Sequence, residues 1–148
     1  MDENIGTLLA QVSRLLRRNF DERARGMGVT RPQWQVLGLL GRNPGSNQGA
    51  LAEMLEVEPI TMGRMIDRLQ EADLVERRAD PADRRAWRVH LTAKGEELLD
   101  MMRPSALATM AHALDGVDEP DRQRVITVLE KMRGNLSRRP GTDSAALG

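Results

Sequence analysis

Asp80-Pro81-Ala82-Asp83-Arg84-Arg85-Ala86-Trp87-Arg88-Val89-His90-Leu91-Thr92-Ala93-Lys94-Gly95 carries three structural signals in succession. Residues 79–83 read as a turn, because Pro presets φ and Asp bonds to nearby backbone N–H groups. Trp87, Val89 and Leu91 then alternate with Ala86, Arg88 and His90, the period of a half-buried strand. Thr92 offers a hydroxyl to cap a following helix. From Arg84 to Gly95 there are four basic residues and no acidic one. A hairpin tipped by adjacent arginines is a shape that enters a nucleic-acid groove. Asp83 would repel DNA if left free, so its expected task is to orient the wing by holding an arginine through a charge-assisted hydrogen bond.

The residues just upstream give this hairpin its context. Leu74 to Arg78 reads as its first strand. Before it come two helical segments, 47–55 and 59–72, joined by Glu56-Val57-Glu58 at helix-turn-helix spacing. Ser46 is the expected cap of the first, which carries Leu51, Ala52 and Leu55 inward. Pro59 suits the first turn of the second, where a missing N–H costs little. Met62, Met65, Ile66 and Leu69 form its inward set. Asp73 closes it, since Asp tolerates the left-handed conformation. Thr61, Arg64 and Arg68 fall at i, i+3 and i+7, away from the apolar set. In such a motif the start of the second helix meets base edges in the major groove, where Arg64 can bind guanine. The plainer alternative makes Arg64 and Arg68 solvated surface residues partnered by Asp67 and Glu71.

Outside this lobe the chain reads as amphipathic helix. Ile5, Leu8, Leu9, Val12, Leu15, Leu16 and Phe20 recur at helical spacing and end at Gly26 and Gly28. Thr30-Arg31-Pro32-Gln33 is a capping-box pattern. It opens a second helix with Trp34, Val36, Leu37, Leu39 and Leu40. After Thr92 a fifth helix runs through Leu98, Met102, Leu107 and Met110, with Pro104 expected to kink or split it. Asp118 caps a sixth, with Val125, Ile126, Leu129, Met132 and Leu136. Such wide apolar stripes with little else to pack on point to self-association.

Composition removes several function classes. The 148 residues include no cysteine, which excludes disulfides, thiol redox switching and Cys-ligated zinc. His90 and His112 show no metal spacing, and no catalytic motif or phosphate loop is visible, so neither an enzyme nor a metal or other cofactor is expected. No apolar run approaches a membrane span, and the N-terminus lacks a signal pattern, so the cytoplasm is the expected location. Net charge is zero, unusual for a nucleic-acid binder. Residues 59–95, however, hold eight basic and six acidic groups, so positive charge is concentrated locally.

Leu51-Ala52, Val57-Glu58-Pro59-Ile60-Thr61, Arg64, Ile66-Asp67-Arg68-Leu69, Leu74-Val75-Glu76-Arg77, Asp80-Pro81-Ala82-Asp83-Arg84-Arg85 and Val89-His90-Leu91-Thr92-Ala93-Lys94-Gly95 resemble the MarR family of bacterial regulators, the SlyA-like branch in particular. Asp73 departs from the family's frequent Gly, and Ala82 stands where some members carry a basic residue. The resulting expectation is an α+β, mainly α fold. A winged helix-turn-helix lobe spans 30–95, a helical dimerisation region spans 1–29 and 96–136, and a loose tail spans 137–148.

The resemblance implies a cytoplasmic homodimer acting as a transcriptional regulator, and as a repressor, on a pseudo-palindromic double-stranded DNA site. The expected DNA contacts are Asn47, Gln48, Ile60, Thr61, Arg64, Arg68, Arg84, Arg85 and Arg88. It also implies a small aromatic or anionic effector, with Arg14, Arg18, Trp34 and His112 as candidate pocket residues. Each has a plainer reading: Trp34 as core, the arginines as surface, His112 as an interface residue. The alternative function is a winged-helix protein–protein module without DNA binding.

Overall fold

Residues 4–137 are described by the structure, a computed structural model. The tail expected over 137–148 lies outside them, apart from Ser137. The elements are α1 (Ile5–Gly26), α2 (Arg31–Arg42), β1 (Ser46–Asn47), α3 (Gln48–Leu55), α4 (Pro59–Glu71), β2 (Val75–Ala79), β3 (Trp87–Leu91), α5 (Ala93–Ala113) and α6 (Glu119–Ser137). Side chains supply the acceptors that helix starts lack. Asn4 Oδ1 accepts from the Thr7 N–H at 2.8 Å. Thr30 and Gln33 form the expected capping box of α2. Thr92 Oγ1 accepts from the Gly95 N–H at 3.0 Å, and Asp118 Oδ1 accepts from the Asp121 N–H at 3.0 Å. Asp73 adopts φ 61°, as its place after α4 requires.

Ser46 does not cap α3. Its backbone pairs with Val89 as the short strand β1, and its hydroxyl donates to the Asn43 carbonyl at 2.7 Å. Asn47 takes the capping role, accepting from the Ala50 N–H at 2.7 Å. A two-residue strand has no alternation to reveal it. Pro104 does not split α5, which continues from Ala93 to Ala113. Buried Met102 before it and buried Thr109 after it anchor the helix on both sides, which offsets the lost hydrogen bond.

The sheet has the order β1-β3-β2, all antiparallel. Its inner face carries Val75 and Val89, both buried. They pack with Val36, Leu37 and Leu40 from α2, Leu51 and Ala52 from α3, and Met62, Ile66 and Leu69 from α4. Gly95 lets α5 start against β2: a Cβ there would overlap the Leu74 carbonyl oxygen. That oxygen also accepts from the Thr92 N–H at 3.1 Å. Trp87 breaks the expected alternation, because it is 52% exposed. The hairpin runs outward past the residues that the helices cover, so the last pair, Ala79 and Trp87, faces solvent.

The chain divides into two compact units between Met110 and Ala111. In the first, α1 is fastened to α2 and α5 by polar contacts. Asp21 accepts from Trp34 Nε1 and Arg31 Nε, both at 2.6 Å, and Arg23 donates to Thr109 Oγ1 at 2.5 Å. In the second, Gly116 turns the chain at φ 79°. Arg122 donates to the Val117 carbonyl at 2.9 Å and the Leu114 carbonyl at 3.3 Å. Helix α6 buries no residue.

Candidate nucleic-acid interface

The helix α4 is presented by its own packing. Met62, Ile66 and Leu69 are fully or almost fully buried, so Thr61, Arg64 and Arg68 on the other side are exposed. Its first turn is open: Pro59 has no N–H to satisfy, and the N-cap Glu58 makes no side-chain capping bond. The remaining N–H groups and the helix dipole favour an anion there. Ile60, 69% exposed, adds an apolar contact beside them.

Asn47 and Gln48, expected among the DNA contacts, are engaged within the motif. Asn47 caps α3. Gln48 Nε2 donates to the Pro59 carbonyl at 3.2 Å and lies over Gly63, where a Cβ would crowd it. Asn47 thus fixes the start of α3, and Gln48 braces α3 against α4. The turn between the helices holds Glu56 at φ 56°, a left-handed position that no glycine fills.

The hairpin is shaped by two carboxylates. Asp83 does not hold an arginine side chain as expected; its Oδ1 accepts from the backbone N–H of Arg85 at 2.9 Å. The Asx turn is the shorter reach for so short a side chain. Asp80 takes the pairing role, with Arg88 Nε 3.3 Å away, while accepting from the Ala82 N–H at 2.9 Å. The Ala82 N–H lowers the Asp80 pKa most, burial raises it, and the hydrogen bond and charge of Arg88 with the Asp83 N–H lower it further. Asp80 therefore stays ionised and fixes the base of the turn.

Arginines of α4 and the hairpin fall into two groups. Arg77, Arg78 and Arg88 each face a carboxylate: Asp67 at 2.7 Å, Glu76, and Asp80. Arg77 also donates to Gln70 at 2.8 Å and to the Gly63 carbonyl at 3.3 Å, tying β2 to α4. Sequence reasoning missed this clamp, and its plainer alternative paired Asp67 with the helix's own arginines. Arg64, Arg68, Arg84 and Arg85 are exposed and meet no carboxylate among the described residues. These cations lie on the helix face and at the hairpin tip.

The effector candidates do not assemble as expected. Trp34 lines a cleft of about 300 Å³ with Phe20, Gly38, Gly41, Leu99 and Met102. Its ring meets Phe20 edge-on at 4.7 Å. The arginines of this cleft are Arg42 and Arg103, not Arg14 or Arg18. Arg14 is exposed on α1, and Arg18 lies 3.9 Å from Glu22 on an exposed face. His112 belongs to the second unit and is exposed. Trp34, Gly38 and Arg42 recur every four residues on α2, so the small residue between them was the legible sign of a cleft.

Burial pushes the Asp21 carboxyl up, but hydrogen bonds from Arg31 and Trp34, with the charges of Arg31 and Arg25, outweigh it and hold the pKa below the ordinary range. The same contact raises Arg31.

Comparison with known proteins bears on this geometry directly. The MarR family model matches residues 27–86. The solved transcriptional regulator PA3341 is 35% identical, with 92% of this chain and 100% of that one covered and a TM-score of 0.82. A MarR transcriptional regulator from Methanosarcina mazei Go1 is 29% identical over 90% of this chain and 96% of that one, with a TM-score of 0.79. The transcriptional regulator SlyA is 26% identical over 90% and 94%, with a TM-score of 0.77. With the helix-turn-helix, the antiparallel hairpin and this full-length likeness together, the chain belongs to the MarR family of transcriptional regulators.

Proposed function

We propose that the chain is a homodimeric, sequence-specific repressor that binds a pseudo-palindromic double-stranded DNA site in the cytoplasm. One observation carries the reading. Whereas Arg77, Arg78 and Arg88 of the hairpin face carboxylates, Arg64, Arg68, Arg84 and Arg85 meet none among the described residues and stand on supports fixed by packing and turn hydrogen bonds. Charges held in place and unneutralised suit a regular polyanion. Thr61, Arg64 and Arg68, with Ile60, read the major groove, and Arg84 and Arg85 enter the adjacent minor groove. Arg88 supports the hairpin, and Asn47 and Gln48 support the helix pair.

Dimerisation is supported by apolar side chains that neither unit buries. On α1 these are Ile5, Leu8, Val12 and Leu15, and on α6 Val125, Ile126, Val128 and Leu129. A second copy covers them and sets two α4 helices about one duplex turn apart. The Phe20–Trp34 cleft takes a small aromatic anion, with Arg42 and Arg103 as the counter-charges. Its occupation shifts the spacing of the two lobes, which needs several kcal/mol of differential affinity for full release.

The test is a gel shift at fixed salt on a duplex that the protein itself selects from a randomised pool. Arg64→Ala is expected to relax base preference at one position in each half-site and to weaken binding by about 1–3 kcal/mol. Arg84→Ala weakens it chiefly at A·T-rich flanks. If neither changes affinity, the DNA reading fails. Absence of duplex binding even at low salt favours a protein–protein module.

A further inference from the structure

The hairpin carries a large apolar side chain that the described residues leave half exposed. Trp87 is 52% exposed, whereas tryptophans are on average well buried. Its cross-strand partner is Ala79, too small to cover an indole. Side chains alternate across a sheet, so Trp87 shares a face with Val89, Arg77 and Val75. On that face Arg77 reaches Gly63, Asp67 and Gln70 of α4. The indole therefore lies on α4's side of the sheet, one same-face pair further out, about 7 Å along the strand. The α4 flank met by Arg77 precedes the stripe of Arg64 and Arg68 by one residue, about 100° round the helix. Exposed Arg84 and Arg85 precede Trp87 in the same hairpin.

We propose that Trp87 is a DNA contact of a second kind, a non-ionic one, which packs its indole against deoxyribose rings of the backbone strand between the grooves occupied by α4 and by the hairpin tip. The charge around it selects the partner. A tryptophan that anchors a protein interface sits in a packed, desolvated patch, and this one shares an exposed hairpin with Arg84 and Arg85, which meet no carboxylate among the described residues and draw in a polyanion. Deoxyribose rings are the apolar surface a duplex offers beside its phosphates. The arginines supply attraction that salt screens, and the indole supplies contact area that salt does not. The proposal rests on the DNA-binding reading given above.

Fluorescence tests it cleanly, because the chain has two tryptophans and no tyrosine. The full-length Trp34→Phe variant reports Trp87 alone. Titrated with the selected duplex, its emission is expected to shift to the blue and be quenched, and to become shielded from acrylamide. Should Trp34→Phe fold poorly through loss of the bond to Asp21, the difference between the wild-type and Trp87→Phe spectra gives the same emission.

In parallel, Trp87→Ala is expected to weaken duplex binding by about tenfold and leave the slope of log affinity against log salt unchanged. Trp87→Phe recovers most of the loss. Arg84→Ala instead lowers the slope by about one. An indole that stays solvent-accessible in a complex whose affinity falls steeply with salt overturns the proposal alone and leaves the exposed indole to a protein partner. Failure to bind duplex at any salt overturns it together with the DNA-binding reading.

Discussion

The helix-turn-helix lobe and the flanking helices treat apolar side chains in opposite ways. Of the buried hydrophobic residues, Ala24 and Met102 lie outside 29–91, and α6 contributes none. The lobe closes its own core, and its exposed large apolar residues are Met54, Ile60 and Trp87. The helices α1, α5 and α6 leave whole stripes open, including Leu136 at 83% exposure. The difference teaches that burial within the chain stabilises the lobe far more than the flanks. The lobe is completed by its own chain, and the flanks leave apolar stripes that the proposed dimer would cover.

The contrast can be broken most severely at the flanks. Leu129→Glu places a charge in the α6 stripe, at a side chain that is 39% exposed in the single chain. It is expected to leave the protein helical but monomeric in light scattering at micromolar concentration. Because the second half-site then has to be bound separately, operator affinity falls by about a hundredfold or more. A dimer that survives this change would remove the flanks from the assembly.

The lobe is tested by packing. Ile66→Ala empties a fully buried site and should cost about 2–5 kcal/mol in denaturant unfolding, without altering the oligomeric state of the folded protein. Gly95→Ala pushes α5 off the Leu74 carbonyl and should cost about 1–3 kcal/mol. Equal and negligible effects at both sites would contradict a self-sufficient core.

The smallest effect is expected where α1 joins α2. Asp21 is held ionised below its ordinary range, so its contribution is present above the unfolded carboxylate pKa and is lost as pH falls through the lowered one. Stability should therefore decline in the acid window below about pH 4. Asp21→Asn should remove that part of the decline and cost about 1 kcal/mol at neutral pH, read from unfolding curves. An unchanged acid limb would show that Asp21 is not the linked group.

Much of this was legible from residues, for reasons that differ along the chain. Capping at Thr30, Thr92 and Asp118 follows from short side-chain oxygens at fixed offsets. The unpaired face of α4 follows from the period of Met62, Ile66 and Leu69. What escaped depended on partners distant in sequence. Arg77 meets Asp67 through a strand–helix approach that spacing does not encode. Trp87 reads as inward by alternation, but alternation does not say where the covering helices stop. The arginine-holding task expected of Asp83 falls to Asp80, because the turn offers Asp83 a backbone N–H nearer than any guanidinium. The cleft arginines Arg42 and Arg103 come from different helices, so proximity to Trp34 was visible only for the first.

The central claim is that two copies of the chain hold unpaired arginines against one duplex. Sedimentation of the full-length protein with its selected duplex, across a series of salt concentrations, measures stoichiometry and ionic dependence together. The account predicts two chains per duplex and a log affinity that falls steeply and linearly with log salt, with a shallower slope when Arg64 and Arg84 are both replaced by Ala. One chain per duplex, or an affinity indifferent to salt, would contradict it.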